Sequence, residues 1–309
     1  MIIICHICQK YDLEMMYWFN AGVQIFLFMS GWLYGKKKIN DSVGFLKKNL
    51  LKVLLDYWMY LLIMILIYFV FARDEITVGM AVNALVGAGT ITGMGHLWFI
   101  PYIVCCYVLT PFLYAVSEKM AKRNKWVYGV SALSICAIVF LYGHFYRCYF
   151  NTAWINCYIL GYFMMKAKQV YMTDENFYLR IVTPVFLLSN GIKIYAEYVK
   201  SFSGMVARLY GVFLPYCHVT LGIFLFFLLF CLGKNGGIGT GNVGRFLLKI
   251  SDRYSYQVYI CHGFFILSSF SLLGKDIFPF GIELLIILIF TMASAVVLEW
   301  CSSKIKRKI

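Results

Sequence analysis

Basic residues crowd every second loop of this chain, and the stretches between those loops are apolar over about the thickness of a membrane. Lys36, Lys37, Lys38, Lys47, Lys48 and Lys52 follow the first full stretch. Lys119, Lys122, Arg123 and Lys125 come two stretches later, then Lys166 and Lys168, then Lys234, Arg245, Lys249 and Arg253, and finally Lys304, Lys306, Arg307 and Lys308. The alternate loops, around 9–16, 73–96, 144–151, 200–207 and 274–278, carry far fewer. Lys and Arg near span ends are retained on the cytoplasmic side, so one orientation satisfies the whole chain. The pattern predicts an all-α, polytopic membrane helical bundle.

Composition closes the other routes. Residues are 62% hydrophobic, 19% aromatic and only 14% charged, against about 25% charged in ordinary soluble domains. The net charge of +14 follows from basic loops and their attraction to anionic lipid headgroups, whereas a nucleic-acid face would not be dispersed between apolar spans. Membrane lipid is an expected partner and nucleic acid is not. The eleven cysteines make no disulfide framework, because most lie inside apolar segments, where a free thiol behaves as a small hydrophobe.

A helix needs about 20 apolar residues to cross the hydrocarbon. Nine segments qualify or nearly do: 17–35, 50–72, 97–116, 126–143, 152–167, 178–199, 208–232, 254–273 and 279–301. Ahead of them Met1 to Cys8 is apolar but short, and the polar Gln9, Lys10, Tyr11 and Asp12 follow at once. It reads as the outer half of a first helix whose inner half is missing, which would make ten spans in the intact protein. It lacks the basic start and the cleavage site of a secretory signal. The expectation is a single membrane domain over residues 1–309, truncated at its N-terminus. No internal repeat supports an inverted-repeat transporter. The Gly- and Ala-rich stretch from Thr77 to Thr92 is expected to be interfacial or re-entrant, buried in protein or lining a cavity.

Ionisable residues at membrane depth are costly and therefore functional candidates. Of the five histidines, His6 lies in the apolar fragment, His96 opens a span and His262 lies within one. The bland alternative for each is a neutral imidazole bonded to a neighbouring helix. His144 and His218 read as structural. Two superficial motifs carry no weight. Cys5-His6-Ile7-Cys8 lacks a second pair of donors for zinc, so no metal is expected. Gly239-Thr240-Gly241-Asn242-Val243-Gly244 follows a membrane helix and not a strand.

The surroundings of these histidines have an ordered grammar. His6 is followed by Gly22-Val23-Gln24-Ile25-Phe26-Leu27-Phe28-Met29-Ser30-Gly31 and then by the Lys47, Lys48 and Lys52 cluster. Next comes Gly95-His96-Leu97-Trp98-Phe99-Ile100-Pro101, and late in the chain Ser255-Tyr256-Gln257-Val258-Tyr259-Ile260-Cys261-His262. In this order the pieces resemble the acyltransferase 3 family of integral membrane acyltransferases over essentially the whole chain. The resemblance implies a ten-helix enzyme moving an acyl group, usually acetyl, from cytoplasmic acyl-CoA to a hydroxyl of a cell-surface or envelope saccharide or lipid-linked glycan. By that resemblance His6 is the catalytic base or acyl relay, Ser30, His96, Trp98, Tyr259 and His262 contact the acceptor, and Lys47, Lys48 and Lys52 hold the phosphates of acyl-CoA.

Three positions depart from the family pattern. The basic partner of the first-helix histidine would fall before Met1. Gln24 stands where an acidic residue is usual, and Asn49 and Lys52 stand where paired arginines are usual. Lysine keeps the charge but loses the bidentate fork. For the lysine cluster the alternative is a topology signal alone. For the chain the alternatives are a polytopic glycan or lipid transporter and an inactive, truncated acyltransferase. A transporter would favour intramembrane acids or arginines along a path, and Asp56, Glu197, Glu283 and Glu299 all sit near span ends.

Overall fold

The computed structural model describes residues 1–120, 126–145, 151–236, 241–275 and 277–307. Lys122, Arg123, Lys125 and Lys308 of the basic loops, and Gly239 and Thr240 of the glycine pattern, lie outside the described residues. Among those described, every regular element is helical: α1 (Ile2–Lys10), α2 (Met16–Gly35), α3 (Ser42–Phe71), α4 (Val78–Leu85), α5 (Phe99–Met120), α6 (Trp126–Phe145), α7 (Thr152–Tyr171), α8 (Glu175–Tyr198), α9 (Gly204–Gly236), α10 (Asn242–Leu267) and α11 (Phe280–Lys306), with short 3-10 turns at Arg73–Glu75 and Gly95–Trp98.

Among the described residues, six stretches are long and apolar enough to cross a membrane: Ser42–Phe71, Gly95–Met120, Val127–Phe145, Glu175–Tyr198, Gly204–Lys234 and Phe280–Lys306. The chain is an integral membrane protein. The other three expected spans coincide with α2, α7 and part of α10, which are helical but fall short of the same apolarity, so a count of nine or ten remains a proposal. Leu62, Leu66 and Val70 of α3 recur every fourth residue and are all exposed. That outward apolar stripe suits lipid, against which helices associate by packing and not by escaping water.

The chain divides into two compact units, one of residues 1–19, 43–104 and 239–309, the other of residues 20–42 and 105–238. In the second, Phe28 and Trp32 of α2 pack with Cys157 and Met165 of α7, Tyr178 of α8 and Phe226 and Phe227 of α9. Gly31 makes the α2–α7 approach possible, since a β-carbon there would meet the Tyr158 carbonyl oxygen of α7.

In the first unit, α10 packs on α11 and on α1. Ile3 and Ile7 of α1, four residues apart and so on one face, lie against the cluster of Ile266, Leu273 and Ile287. The Thr77–Thr92 stretch is held by α3. Thr77 caps α4 by accepting from the Met80 N–H at 3.1 Å, a side-chain cap of the usual kind. Two carbonyls at the C-terminus of α4 accept from α3, that of Ala84, which also accepts from the Gly87 N–H, from the Tyr57 hydroxyl, and that of Leu85 from Trp58 Nε1 at 3.0 Å. The Tyr68 hydroxyl donates to the Thr92 carbonyl at 2.8 Å.

Two boundaries differ from the sequence expectation. Helix α3 starts eight residues before position 50, because Ser42 to Asn49 contain no helix breaker apart from Gly44 and the lysines tolerate the helix well. Helix α10 runs Asn242–Leu267, so it starts before 254 and stops short of 273. Its end falls where the Ser268 hydroxyl donates to the Phe264 carbonyl and accepts from the Phe270 N–H at 3.1 Å, giving the backbone a turn in place of the helical ladder.

Candidate functional site

Three imidazoles from distant parts of the sequence meet in the first unit. The His6 and His262 ring centroids are 5.1 Å apart, those of His96 and His262 4.9 Å, and those of His6 and His96 5.9 Å. His6 is brought there by α1, whose Ile3 and Ile7 seat it on α10 and α11. His96 sits in the 3-10 turn that opens α5, and His262 sits near the end of α10. His96 and His262 are almost wholly buried, at 2% and 1% exposure, while His6 is half-buried.

The hydrogen bonds fix the tautomers of the neutral rings. His96 Nε2 faces the Ile260 carbonyl at 2.9 Å, so it carries the proton and leaves its lone pair on Nδ1. His262 Nδ1 faces the Tyr259 and Val258 carbonyls at 2.7 and 3.1 Å, so its lone pair is on Nε2. His6 Nδ1 donates to Gln9 Oε1 at 2.9 Å, leaving Nε2 as its basic nitrogen. His96 Nδ1 and His262 Nε2 are buried and, among the described residues, without a hydrogen-bond partner. A buried, unpaired acceptor costs about 1–3 kcal/mol, and such groups in a native structure mark places where a donor is missing. Here two unpaired acceptors sit on adjacent rings beside a third imidazole.

Neighbouring groups hold the rings. The Tyr259 hydroxyl donates to the His96 carbonyl, and the Tyr259 ring contacts both the His96 and the His262 rings. Gly263 is required: a β-carbon there would fall on the His96 imidazole. Gly93, at a φ of +72°, lies so close to Ser268 that a side chain would strike its backbone. The turn carrying His96 is thus pressed against α10 at two glycine contacts. Trp98, on the same turn, stacks edge-on with Tyr102 and Phe99. Ser30 belongs to the second unit, where it is buried and its hydroxyl bonds the side chain of Tyr107.

The three lysines also converge. Lys47, Lys48 and Lys52 on α3 line a concavity of about 370 Å³ with Gly44, Leu51 and Lys306 of α11. The fourth cation was not singled out by sequence reasoning, since Lys306 lies more than 250 residues away within a run of basic residues that reads as a topology signal. Nor was the residue that holds it. Lys306 Nζ contacts Asp56 Oδ1 at 2.6 Å, and Gln257 Nε2 of α10 donates to Asp56 Oδ2 at 2.8 Å. Among the described residues no group of three or more His, Cys, Asp or Glu is arranged to hold a metal ion, and the cysteines there are unpaired.

Compared with known proteins, residues 1–300 match the acyltransferase 3 family model, described as an acyltransferase domain. No curated protein and no solved structure gives a match.

Proposed function

We propose, for a chain that belongs to the acyltransferase 3 family and so is a membrane acyltransferase, that it transfers an acyl group, acetyl in the first instance, from acyl-CoA to a hydroxyl of a cell-surface or envelope saccharide. The observation that carries this reading is the three-histidine cluster with its unsatisfied acceptor nitrogens. An alcohol becomes an effective nucleophile when a base near neutral pKa removes its proton, and imidazole is the usual choice. His6 is half-buried, and its Nε2 is the lone-pair nitrogen, so it is the member of the cluster open to an acceptor.

The proposed reaction balances simply. The acceptor O–H proton passes to His6 Nε2 as the oxygen attacks the thioester carbonyl. The new C–O bond forms, the C–S bond breaks, and the departing thiolate takes the proton from the imidazolium, leaving ester and free thiol. His96, His262 and Tyr259 orient the acceptor, with the two unpaired nitrogens receiving its hydroxyl hydrogens. A role for Trp98 and Ser30 in acceptor binding is proposed on the family resemblance alone.

The donor is assigned to the lysine concavity, where cations can meet the phosphates of CoA by charge. Helices α3 and α10 are tied side by side by the Tyr256 hydroxyl to the Val53 carbonyl at 2.9 Å and by Gln257 to Asp56. Lys48 stands eight residues before Asp56 and His262 five residues after Gln257. At about 1.5 Å rise per residue that separates them by about 20 Å along the helices, a span suited to an extended pantetheine arm. The alternation of basic loops supports a cytoplasmic position for these lysines at the cell membrane.

The test is His6→Ala. Loss of general-base catalysis should lower transfer by about 10² to 10⁴ while the protein remains inserted at its normal level. Retained acylation of the acceptor by the inserted variant removes His6 from this role.

A further inference from the structure

We infer that Lys306 is a fourth phosphate-binding cation of the lysine concavity and that Asp56 is the positioning residue that aims it. The inference rests on the reading of that concavity as the acyl-CoA site. Asp56 is fully buried, and a buried carboxylate is retained only when its charge is paired and its oxygens are hydrogen-bonded. Both conditions are met, by Lys306 on one oxygen and Gln257 on the other. Lys48, Lys52 and Asp56 are spaced four residues apart on α3 and form one stripe. Asp56 therefore terminates the row of cations, and it reaches across to the last turn of α11 to bring in Lys306.

Lys306 is not spent on that contact. Its ammonium has three donors, its side chain is 24% exposed, and it lines the concavity with the three lysines of α3. An ion pair with no further task would be as well served by a cation enclosed between the helices. Here the anionic partner is enclosed and the cationic partner faces the open side, which is the arrangement of a side chain held in place to meet a second anion. Gln257 belongs to the same assembly. It is buried, its amide nitrogen is used by Asp56, and its Oε1 has no partner among the described residues. The carboxylate that aims Lys306 thus also grips α10 two residues before Tyr259 and five before His262.

The experiment measures binding of CoA to the full chain in lipid nanodiscs, together with the half-saturating concentration of acetyl-CoA in the transfer reaction. Lys306→Gln should weaken CoA binding by about fivefold to tenfold and raise half-saturation equally, with little change in the maximal rate. Lys306→Arg, which preserves the charge, should bind near the wild-type value. Asp56→Asn, which keeps a partner for Gln257 but releases the ammonium, should weaken CoA binding as much as Lys306→Gln. The double variant should be no weaker than Lys306→Gln alone, the non-additivity expected of one residue acting through another. If Asp56→Asn does not accumulate, Lys306→Gln and Lys306→Arg decide the matter, since Lys306 lies at a half-exposed helix end.

Unchanged CoA affinity in Lys306→Gln, with affinity lost in the Lys48→Gln, Lys52→Gln pair, overturns this inference and leaves the acyl-CoA reading intact. Unchanged affinity in both overturns both. Additive losses for Asp56→Asn and Lys306→Gln remove the positioning role of Asp56.

Discussion

Replacing Gly263 by Ala should disable the enzyme through His96 alone. The added methyl would lie 2.0 Å from both Cε1 and Nδ1 of the His96 ring and 2.8 Å from its Cγ. The ring cannot yield cheaply. It is 2% exposed, its Nε2 is held by the Ile260 carbonyl at 2.9 Å, and its backbone carbonyl is held by the Tyr259 hydroxyl. Forcing a methyl into such a contact costs about 1–3 kcal/mol, which should appear as a lower melting temperature of the purified protein. Catalysis should suffer more, because a misplacement of about 1 Å can cost about a hundredfold in rate. The assay is release of CoA thiol from acetyl-CoA in membranes supplied with the acceptor, at matched protein level. The expected rate is about a hundredfold below the parent. In a His96→Ala background the ring is gone, so Gly263→Ala should cost less than about twofold more. A Gly263→Ala protein within about twofold of the parent, or a loss that persists undiminished in the His96→Ala background, refutes the reasoning.

Replacing Lys48 and Lys52 together by Gln should raise the half-saturating acyl-CoA concentration by about tenfold, at about 1 kcal/mol or less for each partly solvated contact, with acceptor dependence unchanged; an altered orientation and unaltered kinetics would return these lysines to a topology signal. Tyr259→Phe removes the donor to the His96 carbonyl and should destabilise the protein by about 1–3 kcal/mol, measured by thermal unfolding in detergent; unaltered unfolding would show that water or another donor takes the site. An epitope placed at Lys38 should be inaccessible in intact cells and one at Lys275 accessible, from the alternation of basic loops; reversed accessibility would overturn the orientation and with it the direction of acyl transfer.

Hydropathy and charge made the membrane bundle legible because both are set by solvent, and each residue reports on its solvent one at a time. The same holds for His6, His96 and His262, whose cost at membrane depth marks them in the sequence without any knowledge of what they touch. Their meeting was legible only through the order of motifs. What the sequence could not display were pairings across long separations. Asp56 reads as one of four acids near span ends, and nothing local distinguishes it from Glu299, which forms an exposed pair with Arg253. Only the packing of α3 with α10 and α11 makes Asp56 a buried hub. Lys306 was hidden for the opposite reason, since it stands in a run of cations where any member would satisfy the orientation rule.

Helix α10 shows why the site and the membrane criterion conflict. It has the length to span, yet its composition is too polar to be among the six apolar stretches. Arg245, Lys249, Asp252 and Arg253, toward its start, are exposed, whereas the polar groups beside the histidines are turned to protein. Tyr256 and Gln257 bond α3, Tyr259 bonds the turn carrying His96, and His262 satisfies one nitrogen on the carbonyls of its own helix. Polar side chains on a membrane helix are tolerated when they face the bundle interior and find partners there. By that rule the polar residues from Tyr256 to His262 are the ones that assemble the site, and the two imidazole nitrogens left over are the exceptions to it. An enzyme gains nothing from a fully satisfied cluster, because a nitrogen already bonded within the protein has no lone pair to offer a hydroxyl. The unsatisfied acceptors on His96 and His262 are therefore the part of the fold whose cost only an incoming donor can offset.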